Sequence, residues 1–162
     1  MAIHKLNFGE FDEIDYSLIA IHTTLEDYRL AYFINQKLPL CLSKSNNEIQ
    51  INIKEGETKF SRFYFYDKTN AISWNLIQNK NEVIQFKKNT KQNLFSNTTL
   101  EVLTKVYLIP EYNKVDFFLK IETENENINL TTIQTLINTI NNISTAYVVE
   151  AAKIKSKNNL IF

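Results

Sequence analysis

The 162-residue sequence predicts an α+β fold, a mainly antiparallel sheet of six to eight strands with two principal helices packed on one face. Three observations carry this. Short apolar and alternating runs follow one another through the middle of the chain across short turns, as neighbouring antiparallel strands do. Two other segments place apolar residues at three- and four-residue spacing, the mark of a helix with one buried side. No repeat, proline-rich linker or long block of one charge separates these runs, so residues 1–162 read as a single domain.

Tyr16 to His22 is a short apolar, β-branched run and reads as a buried strand. Thr23 with Glu26, or Thr24 with Asp27, then has the spacing of a capping box. The helix that follows is expected to turn Leu25, Tyr28, Tyr32, Ile34 and Leu38 to one side, with Arg29 beside them, and Pro39 stops it. From Glu48 to Lys54 the isoleucines 49, 51 and 53 alternate with Gln50 and Asn52. Glu55-Gly56-Glu57 supplies a turn, and Ser61 to Tyr66 is expected to return as the partner strand. Ala71–Gln78 and Val83–Phe86 read as further strands, and the polar run Lys87–Asn93 as a surface loop. Leu100–Ile109, closed by Pro110, is expected to pair with Val115–Glu122 across a reversal at Asn113-Lys114, since asparagine tolerates positive φ. Leu130, Ile133, Leu136, Ile137, Ile140 and Ile143 define the second helix, capped at Asn129 or Thr131 and running to about Asn142. Thr145–Ala152 is a last strand, followed by a lysine-rich stretch that reaches Leu160-Ile161-Phe162.

Composition removes several chemistries. Eighteen basic and eighteen acidic side chains cancel, and the pI is about 6.7. Two glycines leave no glycine-rich loop for a phosphate. The single Cys41 excludes an internal disulfide, a CxxC pair and a multi-cysteine zinc site. His4 and His22 are too far apart for HExxH and too few for a three-histidine centre. No cofactor, metal or catalytic residue is therefore expected. Neither a basic start leading into an apolar stretch nor a run of about 18 apolar residues occurs. With one thiol, the expected compartment is the cytoplasm, with no membrane partner.

The run Ile109-Pro110-Glu111-Tyr112-Asn113-Lys114-Val115-Asp116-Phe117 resembles the signature of the IPExxxVDY family of Bacteroidota bacteria, with Phe117 in place of the final tyrosine. Leu25–Tyr32 and Lys155–Phe162 are similar to the same family, so the likeness spans nearly the whole chain. It implies a small bacterial cytoplasmic protein and brings no catalytic residue or cofactor with it. The missing hydroxyl at Phe117 argues against phenol chemistry there.

Among chemistry-bearing residues, Glu26 and Asp27 with His22 have the makings of an acid–base set, but both acids fall in the first turn of a helix, where they serve its free amides and dipole. Cys41 sits in an apolar context that would keep its thiol inert. Arg29, one of two arginines, reads either as an i,i+3 partner of Glu26 or as a bidentate contact to Asp116 or Glu111. Glu111 and Asp116 flank the Tyr112-Asn113-Lys114 turn without the oxygen-rich loop that Ca²⁺ requires. Arg62, Tyr64 and Tyr66 alternate with the core candidates Phe63 and Phe65, and Trp74, Tyr107 and Tyr112 join them if their strands neighbour this one. Such a face suits a protein interface or a base-stacking platform, unless a helix or the tail covers it. Lys87-Lys88-Asn89-Thr90-Lys91 and Lys153–Lys157 offer three lysines each for phosphate contact. Leu160-Ile161-Phe162 is expected to dock in a groove, on this chain or on a partner. The reading is a non-enzymatic protein-interaction or accessory domain, self-association as a homodimer included. An RNA- or ribosome-associated role is the alternative, and a hydrolase using Glu26, Asp27 or His22 comes third.

Overall fold

The computed structural model describes residues 14–54, 56–88, 99–124 and 128–162. In chain order these form β1 (Tyr16–Thr23), α1 (Asp27–Lys37), β2 (Ser43–Lys44), β3 (Ile49–Ile53), β4 (Gly56–Phe60), β5 (Arg62–Asp67), β6 (Ile72–Gln78), β7 (Lys80–Lys88), β8 (Thr99–Tyr107), β9 (Phe117–Thr123), α2 (Leu130–Asn138) and β10 (Ile143–Val149). One antiparallel sheet runs β10-β1-β9-β6-β5-β2, and β3-β4 and β7-β8 form two separate ribbons. The fold is α+β. The main sheet has six strands, and the four strands of the ribbons are additional to it among the described residues.

Two pairings differ from expectation. The partner of β3 is β4, while Arg62–Asp67 belongs to the main sheet beside β6. Likewise β8 pairs with β7, and β9 lies between β1 and β6. Physically, β6-β7 and β8-β9 are the two arms of one long, interrupted hairpin. Gln78 pairs with Phe117 and Lys80 with Tyr107, so segment 108–116 on one arm faces the single residue Asn79 on the other. The predicted surface loop starts late, because β7 continues to Lys88, and residues 89–93 lie outside those described.

Strand alternation sends side chains to two separate cores. Ile19, Ile21, Leu76, Leu119 and Ile121 face the helices, against Leu30, Ala31 and Ile34 of α1 and Ile133 and Ile137 of α2. The buried side of α1 is not the predicted one, for Tyr28 and Tyr32 are each 58% exposed. At about 100° per residue, positions 30, 31, 34 and 38 fall within one arc and 28, 29 and 32 lie opposite. The capping box does not form either. Glu26 precedes the helix without a side-chain cap, and the Thr23 hydroxyl instead donates to the Asn142 carbonyl (2.8 Å) and accepts from the Leu25 amide (3.1 Å). In α2 the Asn129 side chain caps as expected, accepting from the Thr132 amide at 3.0 Å. That helix stops at Asn138, short of Asn142, whose φ of 71° is left-handed and turns the chain into β10. Asn138 also bonds both the amide and the carbonyl of Ala146 at 2.8 Å, occupying the edge of β10.

The opposite face carries Leu18, Ala20, Ile77 and Phe118, covered by Phe60, Leu108, Ile109, Ile154 and Leu160. Irregular chain and residues of the two ribbons seal this side. Lys120, 3% exposed, also points into it.

Candidate functional site

The 108–116 segment, which carries the family-like signature, is built around Asn79. This residue is fully buried and both ends of its amide are bonded. Its Nδ2 donates to the carbonyls of Tyr112 and Val115, each at 2.9 Å, and its Oδ1 accepts from the Ile109 amide at 2.8 Å. Its own amide donates to the Asp116 carbonyl and its carbonyl accepts from Leu108, each at 2.9 Å. Asp116 then ties the segment to neighbouring strands: its carboxylate accepts from the Thr23 amide (2.9 Å) and from Lys80 Nζ (2.7 Å). Tyr112 lies half-buried, its ring edge-on to Phe118 with centroids 6.0 Å apart.

Glu111 points the other way and holds the 151–162 segment. Its two oxygens accept from the Ser156 amide (2.6 Å) and hydroxyl (2.8 Å). Burial by itself would raise the Glu111 pKa, but bonds from its own amide, Lys155 and Ser156 outweigh that and hold the carboxyl below its usual value. Asn159 donates to the Leu108 carbonyl at 2.8 Å, and Leu160 is fully buried beneath. The expected groove for Leu160 is therefore on this chain, whereas Ile161 is 77% exposed.

Beyond Leu160, cations and rings alternate across the sheet. The Arg62 guanidinium lies over Tyr64 (5.1 Å to the ring centre) and over Phe162 (4.5 Å). Lys120 Nζ approaches the other side of this group, 4.7 Å from the Phe162 ring and 4.9 Å from Tyr16. Lys120 also bonds Glu122 and the Leu160 carbonyl (2.8 Å), and Arg62 Nε donates to Asn75 Oδ1 at 2.8 Å. Burial lowers the Arg62 pKa, against the opposing pull of Tyr64 and Glu122. The Tyr16 pKa is raised, first by burial and then by Asp15 and Glu122.

The structure thus brings Arg62, Tyr64 and Phe162 together, with the exposed Tyr66 one step along β5. Trp74 does not join them. It pairs with Phe65 and packs in the helix-side core, because β6 is buried on both faces and its alternation puts Asn75, not Trp74, on the Arg62 side. Arg29 reaches neither Asp116 nor Glu111; it is exposed on the outer side of α1, and those acids bind Lys80 and Ser156 instead. Cys41 is exposed rather than buried, Leu42 being the residue that turns inward. His22 stacks on Tyr147 (centroids 5.7 Å apart, Nε2 to hydroxyl 3.4 Å). It is not among the residues lining the open cleft of about 520 Å³ at the start of α1, which contains Glu26, Asp27, Lys80 and Asp116. The acid–base set therefore does not converge. Among the described residues no His, Cys, Asp or Glu cluster is arranged to hold a metal, and no helix is long and apolar enough to cross a membrane.

Lys120, Asn75 and Asn79 were not singled out by the sequence reading. Each carried a signal: a polar residue set inside an apolar strand (FFLKI, SWNLI) or at the join of two strands, where burial requires a partner.

The last surface is the outer side of the β7-β8 ribbon. Along both strands exposure alternates, leaving Glu82, Ile84 and Phe86 of β7 and Glu101, Leu103 and Lys105 of β8 outward. Ile84 lies directly opposite Leu103, and these two with Phe86 are 54%, 65% and 66% exposed.

The fold defines an α+β protein built on one six-stranded antiparallel sheet with helices on one side and irregular chain with ribbon residues on the other. No family model, curated protein or solved structure matches the chain.

Proposed function

We propose that this chain is a non-enzymatic protein-interaction domain of the IPExxxVDY kind that self-associates through the outer face of its β7-β8 ribbon. The observation that carries the reading is the exposed Ile84/Phe86/Leu103 patch on a two-stranded ribbon. Such a ribbon is marginal alone, and contiguous large apolar side chains on a rigid strand pair mark contact surfaces. A second copy fits the charge pattern. Glu101 and Lys105 flank Leu103 on the same side of β8. Two β8 strands crossing antiparallel on a two-fold axis at Leu103 would set Glu101 of each copy against Lys105 of the other. The single exposed thiol is in keeping with a reducing, cytoplasmic setting.

Sedimentation of the purified chain tests this. The expected result is a dimer that Leu103→Glu converts to monomer with an unchanged far-ultraviolet spectrum. Glu101→Lys should weaken the dimer, and adding Lys105→Glu should restore it. A wild-type monomer at every loading concentration would sink the reading. Co-purifying nucleic acid that RNase removes would favour the RNA alternative.

A further inference from the structure

We infer that Arg62, Asn75 and Lys120 form a binding site for a small oxyanion, a carboxylate or phosphoryl group, and that the Phe162 ring gates it. Tyr64, Asn75 and Lys120 are direct cross-strand neighbours on β5, β6 and β9, and Arg62 occupies the adjoining row. All project to the same face. The site has more buried donors than acceptors. Asn75 is 1% exposed; its Oδ1 is taken by Arg62, and among the described residues its Nδ2 has no hydrogen-bond partner. The hydroxyl of Tyr16, whose ring lies beside Lys120, is also buried without one among the described residues. Two cations face Glu122 as the acid near both, and among the described residues no ion pair reaches Arg62. Buried donors left without an acceptor are costly, and the half-buried Arg62 guanidinium, without a carboxylate partner among the described residues, adds to that cost. A carboxylate or phosphoryl oxygen supplies charge and lone pairs together, and a guanidinium beside an ammonium is the pairing that recognises such groups.

What occupies this position is the face of Phe162, whose π cloud is a weak substitute for an anion. Its attachment is correspondingly light. Leu160 anchors the segment, fully buried and bonded through its carbonyl to Lys120. Beyond it Ile161 is exposed, and Phe162, 44% exposed, contacts the sheet through its ring. Rotation beyond Leu160 would therefore lift the ring from Arg62 and Lys120 while Leu160 stays seated.

Nuclear magnetic resonance titration with inorganic phosphate and with acetate, against chloride at matched ionic strength, tests the site on the full chain. Saturable shifts of the Asn75 side-chain amide and Arg62 Nε are expected, with about tenfold tighter binding in Phe162→Ala if the lost ring contacts are worth about 1.4 kcal/mol. A preference for phosphate would point to a phosphoryl-bearing ligand, and one for acetate to a carboxylate-bearing ligand. In the Phe162→Ala background, Arg62→Gln should abolish the saturable response while amide dispersion shows a folded chain. Shifts that follow ionic strength alone, or binding that survives Arg62→Gln, would overturn the proposal.

Discussion

The two faces of the main sheet are sealed by different physics. On one side Ile19, Leu76 and Leu119 meet apolar side chains of α1 and α2, and backbone polar groups of the cover are satisfied within the helices. On the other, Leu18, Ile77 and Phe118 lie beneath Ile49, Phe60 and Val106 of the ribbons and the segments 108–116 and 151–160, whose short helical turns satisfy only part of their amides and carbonyls. Side chains do it for them: Asn79 for Ile109, Tyr112 and Val115, Glu111 for Ser156, Asn159 for Leu108 and Lys120 for Leu160. A helix-sealed face depends on volume, whereas a loop-sealed face depends on a few particular bonds. That difference predicts which substitutions act locally.

The sharpest break is Asn79→Ala. It leaves the buried Ile109 amide and Val115 carbonyl without partners and takes one of two bonds from the Tyr112 carbonyl, for an expected loss of about 3–5 kcal/mol in urea unfolding. Leu119→Ala on the helix side should cost about as much, roughly 2–5 kcal/mol. Hydrogen exchange separates the two. The asparagine variant should lose protection first at residues 108–116 and 153–161 while α2 stays protected. Loss spread evenly over helices and sheet would show that the two covers are one cooperative unit.

The same contrast explains what could be read in advance. The α2 stripe of Ile133 and Ile137 was legible because a helix against an apolar sheet repeats every three to four residues. The isoleucines of β3 were legible for the same reason with period two. Strands β6 and β9 sit in the sheet interior with both faces covered, so alternation there is faint. Hence the pattern puts Trp74 on the wrong side, and it pairs β9 with β8 where the fold pairs it with β1 and β6. Tyr28 and Tyr32 misled because tyrosine counts as apolar in a pattern while its hydroxyl keeps it at the surface. Of the candidate site, Arg62, Tyr64 and Phe162 were found from strand alternation and an apolar end. Asn75, Asn79 and Lys120 act through single side-chain bonds, which have no period to detect.

Lys120→Met sharpens the comparison from the polar side. Methionine keeps most of the length of the side chain and removes the charge, taking the Lys120 bond from the Leu160 carbonyl. Burying a cation is itself expensive, so the two effects partly cancel, and thermal melting should show a loss below about 2 kcal/mol. Lys120→Ala, which also opens a cavity, should cost more. A loss for methionine as large as that for Asn79→Ala would mean that the ammonium is a main fastening of this face.

The smallest expected effect is pH-dependent and falls on Glu111 at the margin of the loop-sealed face. Its carboxyl is held below the ordinary glutamate value in the folded chain by Ser156 and neighbouring amides that outweigh burial. A depressed folded pKa means that the unfolded chain takes up the proton first. The contribution is therefore fully present above the ordinary value of about 4.3 and lost as pH falls through the lower folded value. Asp27 on α1 is also depressed: burial would raise it, but Ser61, Lys44 and the Tyr28 amide outweigh that, so acid weakens both covers. Glu111→Gln should flatten the acid limb of the stability curve only in part, and Asp27→Asn should remove a separate share. Exchange at the Ser156 amide should accelerate on acidification, beyond the intrinsic trend, in the wild type and not in Glu111→Gln. Equal behaviour in the two chains would free the 151–162 segment from any dependence on the Glu111 charge and leave its docking to Leu160 and Ile154.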